Sequence, residues 1–161
     1  MSNQELVALL LLLVANGTPI LVRLALGKRL KQPLDGGWRF FVGRPLFGPS
    51  KTIVGLIAAL SASISLSVAL SIGWMTGLLI GGLAMLGDLL SSFVKRRLGL
   101  RSSAKALGLD QVPESLIPLM VCAPLLGLSW TQVLLVTSAF FVLEVILSRI
   151  AYHLGIRQQP Y

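Results

Sequence analysis

Charged residues, cysteine and histidine are all scarce in this chain. Of its 161 residues only 12% are charged, whereas 55% are hydrophobic and the mean hydropathy is +0.84. A soluble domain of this size cannot cover so much apolar surface with so little polar material. The composition therefore excludes a soluble domain and indicates an integral membrane protein.

The scarcity of cysteine and histidine excludes several kinds of site. Cys122 is the only cysteine, which excludes an internal disulfide framework and a cysteine-based metal site. His153 is the only histidine, and we interpret it as an interfacial residue at the end of the last apolar segment. The sequence has no Ser-His-Asp set and no C-x-x-C, H-E-x-x-H or G-x-G-x-x-G pattern.

Five apolar segments approach the length of about 20 residues that crosses the hydrocarbon of a membrane. The fourth is short and contains Pro118 and Pro124, so a kinked or re-entrant path is an alternative for it. The first is interpreted as a retained span, since it has neither the basic start nor the A-x-A site of a signal peptide. The sequence predicts an all-α membrane protein whose spans are Leu6–Leu26, Ile53–Ile72, Trp74–Val94, Val112–Leu128 and Thr131–Tyr152.

Positive charge falls on alternate loops, and the net charge is +8. The positive-inside rule then places the N-terminus outside, the C-terminus in the cytoplasm and two long basic loops on the cytoplasmic side. Attraction to anionic lipid head groups is an alternative role for the same charges. The fourteen residues are Arg23, Lys28, Arg29, Lys31, Arg39, Arg44, Lys51, Lys95, Arg96, Arg97, Arg101, Lys105, Arg149 and Arg157.

The segment GDLLSSFVKRR, residues 87–97, ends the third apolar run. On a helix of 3.6 residues per turn its polar side chains share one face: Asp88, Ser91, Ser92, Lys95 and Arg96. A carboxylate at depth with cations at the mouth suits a phosphate-rich anion held with a divalent cation. The alternative is that Asp88 bonds Lys95 or Ser92 and only satisfies a helix end.

Two further polar segments lie on the same side. In GLDQVPES, residues 108–115, Asp110 and Glu114 are candidate metal ligands, although Asp110 as the N-cap of a helix is the favoured local interpretation. In FGPSKTIVG, residues 47–55, a turn delivers Lys51 to the start of the second span, where free N–H groups and the helix dipole favour an anion. Spacing and the lack of a preceding strand exclude a P-loop. An interfacial Lys51 is the alternative.

These segments resemble the CTP-dependent cytidylyltransferases that make CDP-activated membrane lipids. GPSKTIVG, residues 48–55, is similar to the family's SPKKTxEG stretch, and GDLLSSFVKRRLG, residues 87–99, to its GDLxESxxKRxxG segment. DQVPES, residues 110–115, stands where DRxDS is expected, whereas the family's PGHGG is absent. The stretch PLDGGWRFFVGRPLFGPSKT looks most like the archaeal branch, the CDP-archaeol synthases.

The resemblance implies a Mg²⁺-dependent enzyme of the cell membrane, with residues 1–161 as one transmembrane catalytic domain. It would join CTP to 2,3-bis-O-(geranylgeranyl)-sn-glycerol 1-phosphate and release pyrophosphate. No nucleic acid partner is expected, and the oligomeric state is not predicted. The implied catalytic residues are Asp88, Lys95 and Asp110, and the implied metal ligands are Asp88, Asp110 and Glu114. The implied nucleotide contacts are Gly48, Ser50, Lys51, Thr52, Ser92, Lys95 and Arg96.

Two other functional classes remain open. In a small multi-pass transporter, Glu144 and Arg23 would line a pathway, although Glu144 paired with Arg23 or Arg149 is the favoured interpretation. A transporter also requires polar residues through several spans, yet only the second is mildly polar, through Ser63, Ser65 and Ser67. A non-catalytic lipid-binding protein would need only the basic face and would leave Asp88 without a role.

Overall fold

The computed structural model describes residues 1–27, 32–40, 43–100 and 106–155, which form five helices and one short hairpin. The five predicted spans are confirmed as helices, with ends shifted by a few residues. The largest shifts are three residues: the first helix begins at Asn3, the second ends at Ala69 and the third ends at Arg97. The helices are α1 (Asn3–Leu26), α2 (Ile53–Ala69), α3 (Trp74–Arg97), α4 (Gln111–Leu126) and α5 (Trp130–His153).

Three of these helices have the length and composition to cross a membrane. They are α1, α3 and α5, each with 24 residues. Helices α2 and α4 are apolar but have only 17 and 16 residues, which reach about 25 Å at the usual helical rise. The chain is thus a multi-pass membrane protein, while the crossing of all five helices and their orientation stay predictions.

The N-termini of α1 and α5 lie together at one end of the bundle, here named the capped end. Each helix begins with a capping box, formed by Ser2 with Glu5 and by Ser129 with Gln132. The Gln132 side chain also donates to Glu5 Oε1 at 2.7 Å, which joins the two helix starts. Glu5 is only 5% exposed, and its carboxylate is satisfied by these neutral donors together with the Met1 ammonium, 4.0 Å from Oε2.

The opposite end, named here the charged end, contains the C-termini of α1, α3 and α5 and the N-termini of α2 and α4. The eight described lysines and arginines lie there or in the loop beside it, which confirms that the positive charge is one-sided for this part of the chain. Six others lie outside the described residues: Lys28, Arg29, Lys31, Arg101, Lys105 and Arg157.

Helix α4 extends from the charged end to the capped end without a break. It contains Pro118 and Pro124 within its length. Directly after it, Gly127 lies against the Gln4 side chain at the capped end, since a Cβ on this glycine would be 3.2 Å from Gln4 Nε2. The fourth segment is therefore one continuous helix, while its crossing of the membrane stays a prediction.

Small residues let α3 approach both of its main neighbours. In the half near the capped end, a Cβ on Gly77 would lie 2.4 Å from the Ser63 carbonyl oxygen, and one on Gly81 would lie 2.8 Å from Ser63 Oγ. Ser67 accepts a hydrogen bond from the Gly77 N–H at 3.1 Å and donates to the Gly73 carbonyl. Serine and glycine pairs of this kind pack membrane helices closely, so Ser63 and Ser67 serve packing against α3.

The loop between α1 and α2 contains a hairpin that the prediction of an all-α fold did not include. Strands β1 (Arg39–Phe40) and β2 (Arg44–Pro45) pair antiparallel. Arg97 donates to the Phe40 and Pro45 carbonyls at 2.6 and 2.9 Å, and Arg44 donates to the Arg97 carbonyl at 2.8 Å. This exchange satisfies carbonyls that a helix C-terminus leaves unbonded and fastens the hairpin to α3.

Candidate active site

An ion pair between Lys51 and Asp88 joins the start of α2 to the middle of the polar face of α3. The Lys51 ammonium contacts Asp88 Oδ2, and the two side chains are 22% and 19% exposed. Burial alone would lower the pKa of Lys51, but the Asp88 carboxylate outweighs it and the pKa is raised. Lys51 is therefore a charged group held inside the bundle.

A second buried ion pair links α3 to the start of α4. Lys95 Nζ lies 2.6 Å from Asp110 Oδ1, with the two side chains 8% and 11% exposed. Asp110 Oδ2 accepts from the Ala106 N–H at 3.3 Å. Within the described residues 106–155, Asp110 gives the first turn of α4 no side-chain cap and has helical backbone angles. Asp110 thus stands at the predicted N-cap position with Glu114 in the first turn, but the predicted capping role of its side chain is wrong, because the carboxylate pairs with Lys95 across the interface.

Glu114 connects the two ion pairs. It is 6% exposed, and its carboxyl group is hydrogen-bonded to that of Asp88. The Lys51 charge acts on Glu114 as well as on Asp110. Asp88 thus has partners on two other elements, and the charge of Lys95 on its own helix also acts on it.

Gly87 explains why Glu114 can reach Asp88. A Cβ on Gly87 would lie 2.3 Å from the Pro113 carbonyl oxygen and 2.8 Å from the Glu114 nitrogen. The first turn of α4 therefore packs directly on the backbone of α3, one residue before Asp88. The sequence signal was a glycine immediately before a buried acid, and it was not used in the prediction.

Asp35 shapes the loop that delivers Lys51. Its carboxylate accepts from the N–H groups of Gly37 at 3.1 Å and of Phe47 and Gly48 at 3.0 Å each. Burial opposes ionisation, but these three donors outweigh it and lower the pKa of Asp35. The Leu34 N–H also donates to the Lys51 carbonyl at 2.7 Å. Asp35 was not predicted as a site residue.

The predicted anion site at the start of α2 is partly occupied by internal hydrogen bonds. Thr52 is the N-cap of α2 and accepts from the Gly55 N–H at 3.1 Å. The Gly48 N–H donates to Asp35, and the Ile53 N–H donates to the Gln32 carbonyl at 3.3 Å. These N–H groups were predicted to be free, but they already donate hydrogen bonds. The Lys51 ammonium is therefore the main group here that would attract an anion. Ser50 lies beside it, half-buried.

The polar face predicted for α3 is confirmed. Ser91, Ser92, Lys95 and Arg96 are all buried, at 1%, 2%, 7% and 4% exposure. The Asp110 charge acts on Arg96, which places this guanidinium beside the second ion pair. The structure thus brings the predicted residues of α3, the loop before α2 and the start of α4 into one cluster.

Glu144 of α5 lies near this cluster. Its charge acts on Glu114, so the two carboxylates face a common region between α4 and α5. The expectation from the sequence was a structural pair with Arg23 or Arg149. The sequence signal was a single acid in a long apolar helix. This signal does not indicate where Glu144 lies relative to α4.

The donors fit a magnesium ion that arrives with phosphate groups. Among the described residues, no group of three or more His, Cys, Asp or Glu is arranged to hold a metal ion by itself. Asp88 and Glu114 are in contact, while Asp110 is engaged by Lys95. Mg²⁺ commonly takes one or two carboxylates and completes its shell with water and substrate phosphates. The buried carboxylate pair meets that requirement.

Comparison with known proteins points to one family. Residues 6–161 match the family described as CarS-like, CDP-archaeol synthase. The chain is similar to the CDP-archaeol synthase of Sulfurisphaera tokodaii, with 36% identity over 92% of this chain and 90% of that protein. It is 34% identical to that of Saccharolobus islandicus, over 80% and 81% of the two chains. A solved structure, of an intramembrane enzyme for archaeal membrane lipid biosynthesis, matches with a TM-score of 0.70 and 29% identity, over 87% of this chain and 89% of that one.

Proposed function

Because this chain belongs to the CDP-archaeol synthase family, we propose that it is a Mg²⁺-dependent cytidylyltransferase. Its substrates are CTP and 2,3-bis-O-(geranylgeranyl)-sn-glycerol 1-phosphate, and its products are CDP-archaeol and pyrophosphate. It works in the cell membrane, with the charged end in the cytoplasm. The basic residues at that end and the positive-inside rule support this orientation.

The observation that carries the proposal is the presence of two ion pairs at the charged end, one half-buried and one buried. Lys51 with Asp88 and Lys95 with Asp110 place two cations and two carboxylates between three elements of the bundle. Buried ion pairs contribute little to stability compared with apolar packing, and ionisable groups inside membrane segments usually serve function. Cations for phosphates and carboxylates for a metal are what a nucleotide site needs.

In the proposed reaction, a phosphate oxygen of the lipid attacks the α-phosphorus of CTP, and the bond to the β-phosphate breaks to release pyrophosphate. A phosphomonoester has a second pKa of about 6, so the attacking group needs no general base. Catalysis then depends on positioning and charge neutralisation. This requirement agrees with a cluster that contains Lys, Arg, Asp and Glu.

Each residue of the cluster receives a role in this proposal. Lys51, Lys95 and Arg96 neutralise and orient the CTP phosphates, with Gly48, Ser50, Thr52 and Ser92 beside them. Asp88 and Glu114, with Asp110, hold Mg²⁺, which supplies further charge neutralisation when bound. Lys51 and Lys95, now paired with Asp88 and Asp110, hold these two carboxylates in place until phosphates arrive.

An activity assay tests the proposal: labelled CTP is incubated in detergent with purified protein, Mg²⁺ and the lipid phosphate. We expect a labelled lipid product and an equal amount of pyrophosphate, and neither without lipid or with excess EDTA. The same lipid with a free hydroxyl in place of its phosphate is the matched control and should give no product. Lack of product from every lipid phosphate, by a protein that remains folded, would refute the assignment.

A further inference from the structure

A groove on α5 lies close to the cluster but plays no part in it. Its volume is about 310 Å³, and it lies between the helix and the loop before α4. Five of its six lining residues are apolar, and the charged one is at the end of the groove nearer the charged end. The lining residues are Leu107, Phe141, Val142, Val145, Ile146 and Arg149.

Both walls of the groove belong to elements that also form the candidate active site. Leu107 lies three residues before Asp110, which takes part in the second ion pair. On the other wall, Val145 follows Glu144, whose charge acts on Glu114. A long molecule in the groove would therefore have one end beside the reacting groups.

We infer that this groove holds one isoprenoid chain of the lipid phosphate, with Arg149 near the phosphate head. The inference rests on the proposed function and adds a substrate subsite to it. Arg149 lies one helical turn closer to the charged end than Val145, the depth at which a lipid head group lies. A phosphomonoester carries close to two negative charges and suits a guanidinium, whereas an ordinary bilayer chain needs no cation at this position.

Kinetics with two variants and a control test the subsite. Val145→Trp fills the groove, and Arg149→Gln removes its charge. We expect each to raise the KM for the lipid phosphate about tenfold and to leave the KM for CTP within about twofold. Leu147→Trp is the control, because Leu147 is on the same helix and 50% exposed but does not line the groove. The same rise in Leu147→Trp, or a tenfold rise in the KM for CTP, would overturn the inference.

Cross-linking tests the same subsite without turnover. The probe is the lipid phosphate with a diazirine in one chain, and the control probe is the same molecule without the phosphate. We expect the phosphate probe to label the 141–146 segment, with much less labelling in Val145→Trp and Arg149→Gln. Equal labelling by the control probe would overturn the inference, since ordinary lipid would then fill the groove. Labelling by a protein that never turns over CTP would support the subsite and refute only the proposed function. Turnover without labelling would refute only the subsite.

Discussion

At the capped end, buried polar side chains bond mainly neutral groups, and the one ion pair among the described residues there joins Glu5 to the Met1 ammonium at the start of the same helix. Glu5 accepts from the Gln132 amide, and Ser67 bonds backbone groups of Gly73 and Gly77. At the charged end, polar side chains pair with opposite charges across separate elements. Lys51 joins Asp88, and Lys95 joins Asp110 at 2.6 Å. Both ends bury polar groups to a similar extent, but only the second keeps charge available for a ligand.

This difference shows which buried polar residues of a membrane protein indicate a function. A serine or glutamate whose bonds are all made by caps and neighbouring backbone contributes to packing and helix ends. A cation and a carboxylate from different elements can exchange each other for a phosphate and a metal ion that arrive together, because each then keeps an opposite charge as its partner. The following changes should therefore affect activity at the charged end and stability alone at the capped end.

The largest effect is expected for Asp88→Asn. The substitution removes the carboxylate that Lys51 and Glu114 share, while it keeps the size of the side chain. Turnover should fall about 10²–10³-fold, the range for loss of one electrostatic group in a catalytic site. Product formation with labelled CTP measures this, and gel filtration checks that the variant is still folded. Turnover close to that of the original protein would remove Asp88 from the site.

Asp110→Ser should be as inactive as Asp110→Asn. Serine caps helices as well as aspartate does, so it would restore activity if capping were the role of this residue. In the structure Asp110 pairs with Lys95 and gives no cap to α4, so both variants leave Lys95 without its carboxylate. Turnover measured side by side for the two variants decides the matter, and an active Ser variant would return Asp110 to a capping role.

Lys51→Gln and Lys95→Gln should each weaken CTP binding about tenfold or more. A charge-assisted contact to phosphate contributes about 1.5–3 kcal/mol, and about 1.4 kcal/mol corresponds to a factor of ten. The affinity for the lipid should change far less. Separate titrations with CTP and with lipid phosphate measure the two. Unchanged CTP affinity in both variants would place the nucleotide elsewhere, and altered membrane insertion would indicate that these lysines serve topology.

Much of this architecture could be predicted from the sequence. Apolar runs determine the helices of a membrane protein because the backbone must bond within each span. The 3.6-residue period placed Asp88, Ser92 and Lys95 on one face, and the structure confirms that face. Lys51 and Asp110 were predicted near it because all the basic segments were expected on one side of the membrane.

The remainder depends on contacts that no local pattern encodes. The hairpin has strands of two residues each, too short for a periodic signal, and it is fastened by arginines more than fifty positions apart in sequence, Arg44 and Arg97. The alternative to a metal ligand gave Asp88 a partner on its own helix, but Gly87 lets α4 approach, and Lys51 pairs with Asp88 from the loop before α2. The local pattern of Asp110 indicated a cap because local reasoning could not include Lys95.

Substitution of two glycines of α3, one in each half of the bundle, compares the two halves directly. Gly87→Ala and Gly77→Ala would place a Cβ 2.3 and 2.4 Å from a carbonyl oxygen of the neighbouring helix, and overpacking of this kind costs about 1–3 kcal/mol. Both variants should lose a similar amount of thermal stability. Only Gly87→Ala should also weaken CTP binding, because it displaces the turn that contains Glu114. Equal loss of CTP affinity in both would mean that the site depends on the whole bundle.

Asp35→Asn should have the smallest effect on CTP affinity and the clearest dependence on pH. Asp35 lies in the loop beside the charged end, but it accepts from three backbone N–H groups and so resembles the residues of the capped end. Because folding lowers its pKa below the ordinary value of 3.8, its stabilisation is complete above that value and is lost as the pH falls through the folded pKa. The substitution should cost about 1–2 kcal/mol at neutral pH. The difference in Tm between the two proteins should therefore be constant well above the ordinary pKa of 3.8 and should narrow as the pH falls below it and through the lowered folded pKa. A difference in Tm that persists at low pH would show that the charge of Asp35 does not order the loop. A tenfold loss of CTP affinity would show that the nucleotide site depends on the order of this loop as well as on ion pairing.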